Sequence, residues 1–346
     1  ATREYIEDVF ENEDFDFLKS DLIPYLKHLD LSNSRIIDGN TPNRIKDNAM
    51  KDKSSLKELI LPSTVNDIGS YAFSGVTLGT IPNNDSEGFY FLTIPSSVTN
   101  ISEYAFDSSE FVYFESNNPP SFYNNTFSYD LSKIFVNGGA LDDYLSLNML
   151  RSDRVYQKGE LSDDRKYIVF DYNAGVGISY IVNNSIYTST LGVPTNIDLN
   201  GTSRKVNIIG TNAYRHMNIY YSDGVSVVLP STVIRIDNSA FRDLNIVSIG
   251  LSSVVEVGDY AFTNTKIDML QSNNMEIIGK HAFENTLIKE LSLASINKID
   301  DYAFNNVQTM YNAYLYNVSI IGDYAFNNCK YLNKVYFSNT NAILVN

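Results

Sequence analysis

The chain has 346 residues, of which 43% are hydrophobic, so it can hold one long array or two ordinary domains. Its formal net charge of −15 argues against nucleic acid and anionic lipid as partners and favours a basic partner, because phosphates attract clustered Lys and Arg. The single cysteine, Cys329, excludes an internal disulfide framework and a multi-cysteine metal site.

Residues 3–19 form an acidic N-terminal segment whose apolar set is Ile6, Val9, Phe10, Phe17 and Leu18. This composition predicts a short amphipathic helix with one solvated face. We expect the helix to cover the open end of whatever structure follows.

A short phrase recurs after this segment: an aliphatic residue, a small or acidic residue, any residue, often Tyr, then Ala-Phe. Nine copies can be recognised, and the last five begin 21, 21, 21 and 22 residues apart. A near-constant interval of this length is typical of a solenoid. The copies begin at Ile45, Ile68, Ile101, Ile209, Ile236, Val257, Ile278, Ile299 and Ile321.

Residues 299–315 show what one repeat should do. Phe304 is expected to point into the core, and Ala303 to let neighbouring coils approach closely. The acidic residues after Ile299 are expected to cap a short helical turn, and the position of Asn306 suits a left-handed turn. A short strand with one face in the core follows, so stacked coils should form a parallel sheet along one side.

The pattern changes after residue 138. Leu141, Tyr144, Leu145 and Met149 have helical spacing, which predicts a helix near 139–150 that closes the first array.

A polar segment then indicates a boundary near residue 157, and residues 166–191 alternate with turn-prone breaks, as in a β-meander. We therefore divide the chain into residues 1–157, the cap helix with an irregular array, and residues 158–346, the meander with a more regular array. The apolar end at 342–345 lacks a convincing cap.

Several of these phrases, such as those at 68–73 and 321–326, resemble the BspA-type leucine-rich repeats of bacterial surface proteins. The resemblance implies an α/β-type repeat solenoid, mostly β, with a right-handed coil, a parallel sheet on one side and short helical turns on the other. It also implies secretion or surface anchoring and adhesion-type work. Insertions at 79–88 and 107–125, and residues 158–205 without the phrase, depart from the family pattern.

The outer face of the predicted sheet is the candidate binding face. Four aromatic residues of the first array should lie side by side on solvent there, and exposed aromatic patches commonly form interfaces. Two alternatives stay open: residues 79–88 and 115–125 fold over the rings, or a one-residue register shift swaps the faces. The candidate face comprises Phe91, Phe111, Tyr113, Phe135, His28, Tyr314 and Tyr336.

No catalytic, cofactor or metal site is predicted. His281 takes the Tyr position of the phrase, and Cys329 takes a position that small hydrophobic residues hold in other repeats, so both should be structural. His28 should face solvent beside Asp30, but no nucleophile is linked to it.

The sequence therefore predicts a non-enzymatic binding or adhesion module that presents a sheet face to a protein partner at a bacterial surface. A host matrix protein or a surface glycan are the partners considered. The alternative is a structural or assembly segment of a larger surface protein with no ligand of its own. No transmembrane segment is expected; no signal segment is visible, and a secreted or surface-anchored location follows from the resemblance alone.

Overall fold

The computed structural model describes residues 3–5, 9–20, 24–80, 90–128, 132–147, 150, 152–182, 185–338 and 343–344. The chain forms two compact units, Ala1–Lys158 and Gly159–Asn346. Each is a stack of coils joined by parallel strands, so the predicted mostly-β repeat solenoid is confirmed. That the two units are separate domains, as the boundary near 157 implies, stays a prediction.

The first unit contains two sets of parallel strands. One set, which we call the first outer sheet, comprises Arg3–Tyr5, His28–Asp30, Glu58–Ile60, Leu92–Ile94, Phe111–Phe114, Lys133–Val136 and Val155–Gln157, in runs of three and four hydrogen-bonded strands. The other set comprises Arg44–Ile45, Asp67–Ile68, Asn100–Ile101 and Ser121–Phe122, with Val9–Phe10 paired to Arg35–Asp38, which also pairs with Thr41–Pro42. The helices are Asn12–Lys19 and Leu141–Leu145, with 3₁₀ turns at Gly138–Ala140 and Ser152–Arg154.

The second unit begins with antiparallel strands and continues as a parallel array. Its 11-stranded sheet comprises Glu160–Leu161, Tyr167–Tyr172, Gly175–Ile181, Asn196–Leu199, Thr202–Ile209, Arg235–Ile236, Glu256–Val257, Ile277–Ile278, Lys298–Ile299, Ile320–Ile321 and Ile343–Leu344. Its second outer sheet, again in two hydrogen-bonded runs, comprises Thr190–Gly192, Val225–Val228, Ile246–Ile249, Met269–Ser272, Glu290–Leu293, Asn312–Leu315 and Lys334–Phe337. Ser185–Ile186 pairs with Asn218–Ile219.

The predicted N-terminal helix over 3–19 is only partly correct. The helix runs from Asn12 to Lys19, and its Phe15 and Leu18 are buried in the core of the first unit, whereas Phe17 is exposed. Arg3–Tyr5 and Val9–Phe10 are instead strands that pair in parallel with the next coil. Backbone pairing to an existing strand edge outweighed the helical pattern of these residues.

The closing helix is shorter than the interval 139–150 predicted for it. A 3₁₀ turn at Gly138–Ala140 runs into the helix Leu141–Leu145, and Tyr144 is fully buried there. The Tyr144 hydroxyl donates a hydrogen bond to the Ser116 carbonyl, which ties the helix to the preceding coil. Met149, predicted on the same stripe, lies outside the described residues.

A continuous column of phenylalanine rings fills the second unit. The ring centroids of Phe262, Phe283, Phe304 and Phe326 are 5.2, 5.5 and 5.2 Å apart in sequence, with nearly parallel planes. Burial of one such side chain is worth about 1.5–3 kcal/mol, which makes the column the main apolar contribution of each coil. The predicted aromatic core of the repeat is therefore correct.

A second column contains the residues at the Tyr position of the phrase. Tyr260, His281, Tyr302 and Tyr324 stack at 4.7 to 5.1 Å, and all have φ between 54° and 58°. A left-handed backbone costs roughly 1–2 kcal/mol per residue, about what one stacked pair and the turn hydrogen bonds return. The sequence predicted the left-handed Asn position of the phrase, at Asn306, but not this one.

The acidic residues of the phrase cap the next coil instead of a helix of their own, because the phrase folds as hydrogen-bonded turns. An Asp or Asn two positions after the aliphatic residue accepts a hydrogen bond from a backbone N–H of the following coil, and that coil has Gly just before the donor. The pairs are Asp47 with Gly69, Asn238 with Gly258, Asp259 with Gly279 and Asp301 with Gly322. Where the preceding coil has Lys280 at this position, the next coil has Asp300 in place of glycine. A glycine is therefore required only opposite a carboxylate or an amide.

The substitution Gly279→Ala tests this spacing rule. A Cβ at Gly279 would lie 2.4 Å from Asp259 Oδ1 and 2.8 Å from the Asp259 backbone nitrogen, so we expect a loss of about 1–3 kcal/mol in unfolding free energy. Thermal unfolding measured by calorimetry should show a midpoint several degrees lower.

Gly250→Ala is the matched control, because nothing lies within 4 Å of a Cβ at that position. Its effect should stay within about 0.5 kcal/mol. Equal effects of the two substitutions would contradict the spacing rule. If the two units are separate domains, Gly279→Ala should shift only one of two calorimetric transitions.

Candidate functional site

The predicted aromatic row lies on the first outer sheet as expected. Tyr113 is paired in register with Thr93 on one side and Phe135 on the other, and Phe135 is in turn paired with Tyr156. The Phe91 ring lies 4.9 Å from the Phe135 ring and 6.1 Å from the Tyr113 ring. The register is therefore as predicted, and the rings are neighbours.

The prediction that all four rings face solvent is wrong. Phe111 is 3% exposed and Phe135 is fully buried, whereas Phe91 and Tyr113 are half-buried. The Phe135 ring is stacked on Tyr156 at 5.3 Å and on Phe111 at 5.9 Å. Rings on adjacent parallel strands are close enough to cover each other's faces, which makes this row a second small core.

Of the two segments that could have folded over the rings, one can be placed. The strand Ser121–Phe122 belongs to the other set of strands, and Phe122 is buried in the main core of the unit. Residues 81–88 lie outside the described part of the chain. Lys133 covers part of the row, with its Nζ 5.3 Å from the centre of the Phe111 ring and 3.0 Å from Glu110 Oε1.

A groove of about 650 Å³ lies beside the uncovered end of the row. Its described lining combines aromatic rings, hydroxyl groups and charged side chains, which is the usual make-up of a ligand-binding cleft. Tyr90, at 49% exposure, is the most accessible of the three rings. The lining residues are Ser32, Glu58, Leu59, Ile60, Leu61, Ser63, Tyr90, Phe91, Thr93, Pro95, Tyr113, Glu115 and Lys158.

Tyr113 is the centre of the polar contacts in this groove. Its hydroxyl donates a hydrogen bond of 2.9 Å to Asn137 Oδ1, and Lys158 Nζ lies 4.5 Å from the centre of its ring. Burial and the nearby Glu115 carboxylate raise the pKa of Tyr113, so the phenol is neutral at physiological pH. The ring therefore offers a neutral, electron-rich face in a negative environment.

His28 is held by a carboxylate and not by a nucleophile. Its Nδ1 lies 2.7 Å from Glu58 Oε2, on the next strand of the first outer sheet. Asp30, which the sequence places beside His28, accepts a hydrogen bond from the Ser32 backbone N–H. This pair lies at the edge of the groove through Glu58.

The remaining candidates lie in the second unit. Tyr314 and Tyr336 stack at 4.7 Å on the second outer sheet, and Tyr336 is 43% exposed. His281 lies between Tyr260 and Tyr302 in the column described above, with its Nδ1 2.8 Å from Glu284 Oε2. The structural position predicted for His281 agrees with this arrangement.

Cys329 also occupies a structural position. Its Sγ lies 3.1 Å from the Phe304 carbonyl oxygen, against the core of the second unit. Burial raises the pKa of the Cys329 thiol to about 11.

Metal and membrane features were also compared with the expectations. Within the described ranges, no group of three or more His, Cys, Asp or Glu side chains is placed to hold a metal ion. Among the same residues, no helix combines the length and apolarity needed to span a bilayer.

The profile of the BspA type leucine rich repeat region matches the chain in 6 copies, over residues 28–88, 43–141 and 207–333. A search of curated proteins finds no match. Among solved structures, a leucine rich cell surface protein from Faecalibacterium prausnitzii is 19% identical, with 96% of this chain and 83% of that chain covered and a TM-score of 0.35.

Two leucine-rich repeat proteins are similar to the same limited degree. The one from Bacteroides ovatus is 20% identical, with 52% of this chain and 54% of that chain covered and a TM-score of 0.34. The one from Eubacterium ventriosum is 11% identical, with 89% and 72% covered and a TM-score of 0.35.

Cys329 gives a direct test of the structural assignment. Because its pKa is raised from 9.0 to about 11, the reactive thiolate is scarce at about pH 8, and alkylation by iodoacetamide should be about a hundredfold slower than for an ordinary thiol. The rate should rise with pH until the pKa is passed. The same chain unfolded in urea is the control and should react at the ordinary rate; a folded chain that reacts equally fast would contradict the assignment.

Proposed function

Since the chain belongs to the BspA-type leucine-rich repeat family, which matches more than half of its length, we propose that it is a non-enzymatic binding module at a bacterial cell surface. The proposed site is the groove on the first outer sheet, and the proposed partner is a protein. The observation that carries the proposal is the groove itself, where three partly exposed aromatic rings meet hydroxyl and charged groups.

The aromatic composition supports a protein ligand. Tyrosine supplies a large rigid contact area with a polar tip, and such residues contribute most to protein interfaces. Phe111, Phe135 and Tyr156 lie behind the groove as a packed layer, so its aromatic lining is held in place before a partner arrives. A preformed site loses less conformational entropy on binding.

The non-enzymatic part of the proposal rests on how the ionisable groups of the groove are arranged. Glu58 is bonded to His28, Lys158 faces the Tyr113 ring, and Glu115 lies near that ring. In this arrangement no hydroxyl or thiol is hydrogen-bonded to a base, which nucleophilic catalysis would need. A surface location is proposed from the family and from the export implied by the sequence resemblance.

Blocking the groove tests the binding proposal. The pair Tyr90→Ala and Thr93→Arg removes the most exposed ring and places a long side chain in the groove, without touching the buried Phe135. Against a panel of purified matrix proteins and surface glycans in biolayer interferometry, we expect at least one protein to bind and the double variant to bind at least about tenfold more weakly.

Ser292→Arg is the matched control, since it adds the same side chain to the half-exposed outer position of the second outer sheet. It should leave the affinity unchanged. Loss of affinity in both variants, or in neither, would contradict a site in the groove, and binding of glycans alone would contradict a protein partner.

A second candidate function is assembly, and the last coil of the second outer sheet favours it. All four residues of Lys334–Phe337 are exposed. Val335 and Phe337 occupy the positions of Leu291 and Leu293, which are fully buried, yet they are 40% and 44% exposed. Apolar core positions left open at an array end are the surfaces that solenoids cap.

We infer from this end that two copies associate through it. Light scattering after size exclusion should show a mass that increases with concentration, and Phe337→Ser should remove the increase. Met269→Ser is the control, because Met269 is 62% exposed on the same sheet but away from its end. A constant monomer mass, or an equal effect of Met269→Ser, would refute the assembly role.

A further inference from the structure

The groove on the first outer sheet contains a carboxylate and an ammonium group that line the same space without pairing. Neither Glu115 nor Lys158 forms an ion pair with any described residue, although both side chains are exposed. Lys158 instead places its Nζ over the ring of Tyr113, at 4.5 Å from the centre. A cation at this distance is held by the ring quadrupole.

The contact has a parallel on the same sheet. Lys133 places its Nζ over the ring of Phe111 at 5.3 Å, but it is also bonded to Glu110 and is largely buried. Lys158 is exposed and is attached at the last residue of the unit, beyond the strand Val155–Gln157. Of the two lysines, Lys158 is the one that can leave its ring at little cost.

The charge around the groove selects for cations. Residues 1–158 carry 24 Asp and Glu against 13 Lys and Arg, so this part of the chain accounts for most of the formal charge of −15. Glu115 and Glu58 line the groove, and the first of these is close enough to Tyr113 to raise its pKa. A negative cleft with an electron-rich ring attracts an ammonium or guanidinium group and repels a carboxylate.

Resting on the proposed function, we propose that the groove binds a Lys- or Arg-bearing extended segment of the partner protein, and that Lys158 occupies the cation position on Tyr113 until the ligand displaces it. A volume of about 650 Å³ is within the range of cavities that hold a short segment of chain. The incoming cation takes the face of Tyr113 and gains Glu115 as a second neighbour. Lys158 then moves into solvent.

Three labelled octapeptides of alternating Ser with Lys, Glu or Gln serve as probes in fluorescence anisotropy. The Lys peptide should bind best, and Thr93→Arg should weaken it by about tenfold. Glu115→Gln should weaken it about threefold. Lys158→Met, which keeps the length of the side chain but removes its charge, should strengthen it about three- to tenfold, because the ring no longer has to be vacated.

A double-mutant cycle separates displacement from simple charge removal. In the background of Tyr113→Leu the gain from Lys158→Met should disappear, and Lys57→Met, which removes an exposed charge outside the groove, should give no comparable gain. An equal gain with and without Tyr113, or weaker binding after Lys158→Met, would overturn the displacement. Equal binding of the three peptides would overturn the preference for cations.

The two proposals fail in different ways. If a protein partner binds and is lost on blocking the groove with Tyr90→Ala and Thr93→Arg, but Lys158→Met and the charge of the peptide have no effect, the groove functions and its cation preference is refuted. If Thr93→Arg leaves binding of the Lys peptide unchanged, the attraction is a general effect of the acidic surface and the site itself is refuted.

Discussion

Stacking of one phenylalanine on the next, coil after coil, is the interaction on which this structure depends. No coil encloses a core of its own; each buries its ring only between the rings of its neighbours, as Phe283 does between Phe262 and Phe304. The ring spacing of 5.2 to 5.5 Å is close to the distance between paired strands, so the same contact keeps the sheets in register. The glycine opposite Asp259 permits this approach, and the left-handed tyrosine column follows from it.

The repeat allowed much of the fold to be predicted, because an error in one coil is corrected by the next. The interval of 21 residues, the inward phenylalanine and the left-handed position of Asn306 each recur several times in the sequence. The N-terminal strands could not be predicted in this way. Arg3–Tyr5 and Val9–Phe10 have no copy elsewhere, and their strand state comes from pairing with coils further along the chain.

The candidate binding face shows where such reasoning stops. Alternation along a strand identified the face on which Phe111 and Phe135 lie, but it carries no information about what packs above that face. Stacking among the rings themselves, with Phe91 and Tyr156, buries them. Tyr113 and His28 remain accessible in part, and Tyr314 and Tyr336 form a separate pair; a binding role for any of them stays a prediction.

Irregularity and binding capacity occur together in this chain. In the second unit the copies are evenly spaced, and the outer face carries small polar residues such as Ser226, Ser248 and Ser292 in neighbouring coils. In the first unit the phrase starts at Ile45, Ile68 and Ile101, at intervals of 23 and 33 residues, and the groove is found there. A coil that departs from the common length cannot present the same outer face as its neighbours, so a recess forms. An exposed cation–π contact is worth only about 0.5–1 kcal/mol, so the lysine that faces Tyr113 in this recess is held too weakly to exclude a competing cation. A ligand needs little more than one further favourable charge contact to replace it, and Glu115 supplies that charge.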